Sequence, residues 1–259
     1  MKKYFLLTFD LEEFVAPLEF GLYISDDEMF SISYKGCLNV LKILDKFKIN
    51  VTFFVTEGIG KRFPDLINEI VKKDHEIALH RISKKNNSVK INILNHKKIL
   101  EDITNLKIAG FRNHRFQNPP FNLLKMMNFK YDSSIHPIFI PGRYNYIRYP
   151  LEPYKIKGII EIPISVVPII RLPFSFLWFR NFDLSYVESC TLMCNLNQDM
   201  INMYFHTWEF ADVSKYSLPF LIKRNCGEVM NKKMKDFLNW CLTKDFQFST
   251  IYNYIKLLN

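Results

Sequence analysis

Asp10 and Glu12 stand just past a short apolar run at residues 4–9, and other ionisable residues hold the same place after later apolar runs. His80 follows the run 75–79, Arg112, His114 and Arg115 follow 108–111, Asp132 follows Tyr131, and His206 and Glu209 follow 201–205. In folds built on parallel strands, residues at the carboxyl ends of the strands collect in one crevice. Two carboxylates with imidazoles from neighbouring strands can hold a divalent cation, leave one carboxylate as a general base and present another imidazole as a general acid. That inventory is the one a metal-assisted hydrolase needs. His75 is set apart, because side chains alternate along a strand and His75 and His80 have opposite parity. His96 falls on an expected helix and is assigned to its surface.

The elements that must position these residues are legible as an alternation. The run 4–9 is a buried strand ending at a carboxylate. Leu38, Leu41, Ile43, Leu44 and Phe47 approximate helical spacing, and the β-branched and aromatic run 51–55 follows as a second strand. Pro64 and Asp65 open the next helix. A strand at 75–79, a helix at about 93–106 and a strand at 108–111 repeat the unit. Further strands are expected near Tyr131, at 159–162 and at 201–205, with helices near 232–241 and 251–258. Repeated crossovers of this kind imply a parallel sheet or barrel.

The chain has 259 residues, 48% of them hydrophobic, which is enough to bury one large core. No Gly/Ser-rich linker, repeat or low-complexity tract divides it, so residues 1–259 are read as one domain. Lys and Arg outnumber Asp and Glu by 35 to 26. This excess suits an anionic partner, yet no nucleic-acid-binding motif accompanies it, and a solvated cationic surface accounts for it. The five cysteines form no CxxC pair or evenly spaced framework, which fits a reducing compartment. The first apolar run meets Asp10 too early for a signal peptide. The apolar stretch 158–179 is broken by Glu161, Arg171 and three prolines, which argues against a membrane-spanning helix. Its aromatic second half, Ile169 to Arg180, would suit a peripheral membrane contact or a lipid-linked substrate.

The motifs in order are Leu7-Thr8-Phe9-Asp10-Leu11-Glu12-Glu13-Phe14, Val51-Thr52-Phe53-Phe54-Val55, His75-Glu76-Ile77-Ala78-Leu79-His80, Gly110-Phe111-Arg112, Tyr131-Asp132-Ser133-Ser134-Ile135 and Phe205-His206-Thr207-Trp208-Glu209. Over about the first 210 residues this order resembles the polysaccharide deacetylase family, in the NodB-type branch whose first motif reads Asp-Val-Glu-Asp. The resemblance implies an α/β fold, an irregular, deformed β/α barrel of about seven strands. It also implies hydrolysis of an N-acetyl group on an amino sugar. On that analogy Asp10 is the general base, Arg112 orients it and keeps it ionised, and His206 is the general acid. Glu12 and His80 would bind a divalent metal, zinc by expectation, and Trp208, Tyr131 and Asp132 would line the sugar subsite.

Two departures from the family pattern shape the expectation. The family's second metal-binding His would stand at position 84, where this chain has Lys84, and the Ala-Pro pair that commonly follows the arginine is here Asn113-His114. His114 can replace the lost ligand. Arg115 can meet a phosphate or carboxylate of the substrate, and Lys84 can either contact substrate or fill the metal's place. The expected function is therefore metal-dependent N-deacetylation of an amino-sugar unit in a surface polysaccharide or its precursor, lipid- or nucleotide-linked. The alternative is a non-catalytic module that keeps the cleft and binds glycan or a partner protein. The expected location is cytoplasmic, peripheral to the inner face of the membrane.

Overall fold

Strand β1 (Tyr4–Leu11) is buried along nearly its whole length, as a strand packed on both faces must be. The computed structural model describes residues 3–81, 89–141 and 144–258. Within them, β2 (Thr52–Val55), β3 (Glu76–Arg81), β4 (Gly110–Asn113) and β5 (Tyr131–Asp132) follow in order. The chain then forms a small separate hairpin of β6 (Phe139–Ile140) and β7 (Tyr144–Asn145) before β8 (Tyr154–Ile156), β9 (Ile159–Glu161), β10 (Met200–His206) and β11 (Gln247–Phe248).

The main sheet runs β10-β1-β2-β3-β4-β5-β9-β8, all parallel except for the β8/β9 hairpin. β11 pairs with β1 at Tyr4 and Phe5, below the point where β2 joins at Thr8. The result is a curled mixed sheet, a half-barrel. Nine strands join it among the described residues, two more than the sequence suggests, because the short β8 and β11 carry no apolar run of their own.

Register decides which residues share a face. Asp10 pairs with His206 on one side and Phe54 on the other; Phe54 pairs with Ala78, two residues before His80, and His80 pairs with Arg112. Asp10, His80, Arg112 and His206 therefore project to the inside of the curl. The alternate residues, among them Phe5, Leu7, Phe9, Phe53, Leu79, Phe111 and Phe205, form the outer core.

The helix Asp26–Phe47 lies over that outer face and starts twelve residues before Leu38, the first of the periodic apolar residues that announce it. Ser25 caps it by accepting the Glu28 N–H, an S-x-x-E opening rich in acidic residues. Gly36 lets this helix touch the turn after β10: a Cβ there would lie 2.0 Å from the Thr207 carbonyl oxygen. Gly36→Ala is expected to cost about 1–3 kcal/mol of stability, the usual price of overpacking, and to lower the midpoint of urea unfolding. An unchanged midpoint would show that the helix shifts freely.

Candidate active site

Three motifs reach the cleft because β1, β3 and β4 end at the same edge of the sheet, with β2 between β1 and β3, and β10 beside β1 brings the fourth. The cleft encloses about 100 Å³ and is bordered by Asp10, Glu12, His80, His114, His206 and Trp208.

Arg112 is fully buried and fixed on every side. Its Nη1 donates to Asp10 Oδ1 at 2.7 Å and to Thr8 Oγ1 at 3.1 Å, while Nε and Nη2 donate to the Ser133 carbonyl and hydroxyl at 2.9 and 3.0 Å. The guanidinium also lies 3.9 Å from the centre of the Phe54 ring. A planar cation clamped this way holds one oxygen of Asp10 in place.

Glu12 sits beyond the end of β1, its backbone carbonyl accepting from Ser33 Oγ at 2.5 Å. Its Oε2 lies 3.1 Å from His80 Nε2 and 3.8 Å from His114 Nδ1, and its Oε1 lies 3.6 Å from His206 Nε2. Burial acts to raise the Glu12 carboxyl, but the His80 hydrogen bond and the charges of His206, His80 and His114 outweigh it and bring it down to about 2. Glu12 is thus a carboxylate at any working pH.

Glu12, His80 and His114 each offer a ligand atom, and the three atoms lie within 4.8 Å of one another. The hydrogen bonding of His80 tests whether a cation fits. Its Nδ1 is 3.2 Å from the Arg112 carbonyl, which can only accept, so Nδ1 carries the hydrogen. In the neutral ring the Nε2 lone pair then faces a carboxylate oxygen at 3.1 Å, an arrangement that calls for a positive species between them. Burial disfavours the imidazolium, yet Asp10 and Glu12 raise His80 above its ordinary value, which measures the same negative potential. A backbone carbonyl on the far nitrogen is also the usual support for a metal-ligating His. Burial lowers His114 and keeps it in the neutral, ligating form. Two imidazoles and a carboxylate, with the cleft open beside them, are a suitable donor set for a catalytic divalent ion.

His206 ends β10 and faces Glu12 across the cleft. Its Nδ1–H points to Glu209 Oε1 at 3.4 Å, and the same oxygen accepts the His206 backbone N–H at 2.7 Å. Burial opposes a charge on His206, but Glu209, Glu12 and Asp10 outweigh it and raise its pKa above the ordinary value. The ring is packed between Trp208, stacked with centres 5.5 Å apart, and Phe176 at 4.4 Å. Glu209 is itself buried and paired with the fully buried Arg180, Nε to Oε2 at 3.5 Å. Sequence reasoning placed Glu209 among the strand-end residues without a role and gave Arg180 none. The His-x-x-Glu spacing, with side chains meeting across one turn, was the available signal for Glu209; nothing local marked Arg180.

Of the expected subsite residues, Trp208 and Arg115 border the cleft, Arg115 paired with Glu19. Lys84 lies outside the described residues. Two placements require correction. Tyr131 is fully buried inside the curl and its hydroxyl donates to Glu76 at 2.7 Å, so it offers no surface to a substrate. Asp132 pairs in register with Phe111, hence on the outer face, and is fully buried against Glu161. Burial raises both carboxyls and the charge of Asp132 drives Glu161 well up, so the pair keeps a proton on Glu161. His75 accepts the Val51 N–H on the outer face, consistent with its parity. His96 is buried, not on the surface.

Comparison with known proteins gives a family match over part of the chain and a shared fold over nearly all of it. Residues 19–120 match the family described as polysaccharide deacetylase, and residues 133–256 match a domain of unknown function. No curated protein matches the chain in sequence. Among solved structures, a protein of Mycobacterium smegmatis assigned to the polysaccharide deacetylases is 18% identical with a TM-score of 0.68, covering 98% of this chain and 89% of its own. A peptidoglycan N-acetylglucosamine deacetylase is 15% identical at a TM-score of 0.56, with 96% and 86% covered. A CE4 family pseudoenzyme from Bacillus anthracis is 10% identical at 0.56, with 97% and 65% covered.

Proposed function

We propose that this chain, whose residues 19–120 match the polysaccharide deacetylase family, is a metal-dependent N-deacetylase of an amino-sugar unit in a glycan or a glycan precursor. The observation that carries the reading is the Glu12-His80-His114 cluster, where His114 supplies the ligand that Lys84 does not. A divalent ion held there would polarise the acyl carbonyl and acidify a water. Asp10, held by Arg112, is placed to act as the base that would take a proton from water, and His206, held by Glu209, as the acid that would give one to the departing amine nitrogen. An amide has a poor leaving group, so hydrolysis needs a group that can give the departing nitrogen a proton. Trp208 fixes the ring plane of His206 and excludes water from it.

Metal analysis tests the cluster directly. Wild-type protein equilibrated with zinc and desalted is expected to retain about one ion per chain, and His114→Ala to lose affinity by more than the roughly 10–100-fold that an outer-shell partner is worth. Equal retention by both proteins would remove His114 from the site.

A second reading, a glycan-binding module without hydrolysis, draws on Lys84 at the family's usual second-His position. The surface-polysaccharide role, a lipid- or nucleotide-linked substrate and a location at the inner face of a membrane belong to the proposal. Ile169, Ile170 and Leu172 are exposed and support a lipid contact there, whereas Phe174, Phe179 and Arg180 of the same stretch are buried. No helix among the described residues is long and apolar enough to cross a membrane.

A further inference from the structure

His114 is carried by the short turn His114–Phe116 that follows β4, and two residues of that turn, Arg115 (φ 51°) and Phe116 (φ 49°), lie in the left-handed region. Residues other than glycine enter that region at an energetic cost, and two in succession persist only where the surroundings fix them. At the end of the turn the Gln117 N–H donates to the His114 carbonyl at 3.2 Å.

Asn113 fixes the turn from the strand side. It is 2% exposed, and both ends of its amide are bonded. Nδ2 donates to the carbonyls of Gln117 and Asn118 at 3.2 and 3.3 Å, and Oδ1 accepts from Arg81 Nη1 at 3.1 Å. These partners decide which way the amide points, because the opposite orientation would set its oxygen against two carbonyls and its NH2 against a guanidinium. The amide thus closes a ring of backbone, from Asn113 to Asn118, around His114.

The brace is itself anchored. The Asn113 N–H donates to Ser134 Oγ at 2.7 Å, that hydroxyl donates to Asp132 Oδ1 at 2.7 Å, and Asp132 Oδ2 accepts the Ser134 N–H at 2.9 Å. Ser134 and Asp132 are both fully buried. Past His114, the Phe116 ring is held edge-on against Tyr204 and His136, with centres 4.7 and 5.5 Å away. His114 therefore stands between two fixed points, the Asn113 amide and the Phe116 ring, with its Nδ1 3.8 Å from Glu12 Oε2.

We infer that Asn113 is a positioning residue, whose amide holds this turn so that His114 faces Glu12 and His80. The inference rests on the proposed function only where that reading assigns His114 to a metal.

Asn113→Asp tests it in the full chain. The carboxylate has the same shape and can still accept from Arg81, but it cannot donate to either carbonyl. In metal-free protein, NMR is expected to show hydrogen exchange of the Gln117 N–H at least about tenfold faster, while the amides of β1 stay protected. Titration with cobalt(II) chloride, followed by visible absorption, is expected to show affinity lowered by roughly 10–100-fold, the effect of losing an outer-shell partner. In a His114→Ala background the same substitution should change cobalt affinity by less than about twofold, since no ligand remains to be misplaced. Asn113→Ala removes both donations without adding charge; it should act in the same direction, and it decides the matter if the Asp variant does not fold. Unchanged Gln117 exchange, or an equal loss of cobalt affinity with and without His114, would overturn the inference. Faster Gln117 exchange in the variant, when the wild type takes up no cobalt, would leave the hold of Asn113 on the turn standing and count against the metal-dependent reading alone.

Discussion

Asp10→Asn is expected to lower the deacetylation rate by roughly 10²–10⁴-fold, the range a positioned general base contributes. Asparagine keeps the shape and can still accept from Arg112 through its amide oxygen, so the fold should survive and circular dichroism should not change. What is lost is the carboxylate that takes the proton of water. Arg112 then faces a neutral amide in a fully buried setting, and some loss of stability should accompany the loss of rate. Steady-state turnover with thermal unfolding of the same samples separates the two effects. Undiminished turnover would remove Asp10 from the chemistry.

His206→Gln should reduce the rate by a similar factor, again about 10²–10⁴-fold, and should change the pH profile as well. In the wild type His206 must be protonated to donate to the amine. Its pKa is raised above the ordinary value of about 6.5 by Glu209, Glu12 and Asp10 against the cost of burial, so activity should fall as pH rises through that raised value. The variant has no imidazole to lose its proton there, and the alkaline fall should vanish from its residual rate. If the variant keeps the same alkaline limb, another group is the acid.

The sequence shows the site more clearly than the architecture around it. Asp10, His80, Arg112 and His206 are recognisable because each follows an apolar run long enough to be a strand, and the register then places all four inside the curl. His114 could be named as a ligand because it stands two residues past Arg112, close to the same strand end. Asp132 fails for a reason the same reasoning contains. It lies one residue from Tyr131, so the two cannot share a face, and pairing with Phe111 turns Asp132 outward. Tyr131 does face inward but lies level with Glu76, too far down the barrel to meet a substrate.

Other features depend on contacts between distant segments that no local pattern reveals. Arg180 reads as a flanking charge on an aromatic stretch, yet it is fully buried against Glu209 and beside Cys226, forty-six residues later. The start of the helix Asp26–Phe47 was available in Ser25 and Glu28, since a capping residue marks a helix end better than the apolar spacing that begins further in. The strands β8 and β11 have two or three residues each and are defined by the partner they pair with, not by their own sequence.

Residues 19–120 match the polysaccharide deacetylase model, Lys84 stands where the resemblance leads one to expect a second metal-binding His, and a CE4 family pseudoenzyme shares the fold. Whether Glu12, His80 and His114 suffice for hydrolysis is the central point, and acetate release measures it. Zinc-loaded wild-type protein incubated with N-acetylated hexosamine oligosaccharides is expected to release acetate and free amine in equal amounts, to stop on chelation and to resume when zinc is restored. Metal-replete protein that binds these oligosaccharides and releases no acetate would contradict the account.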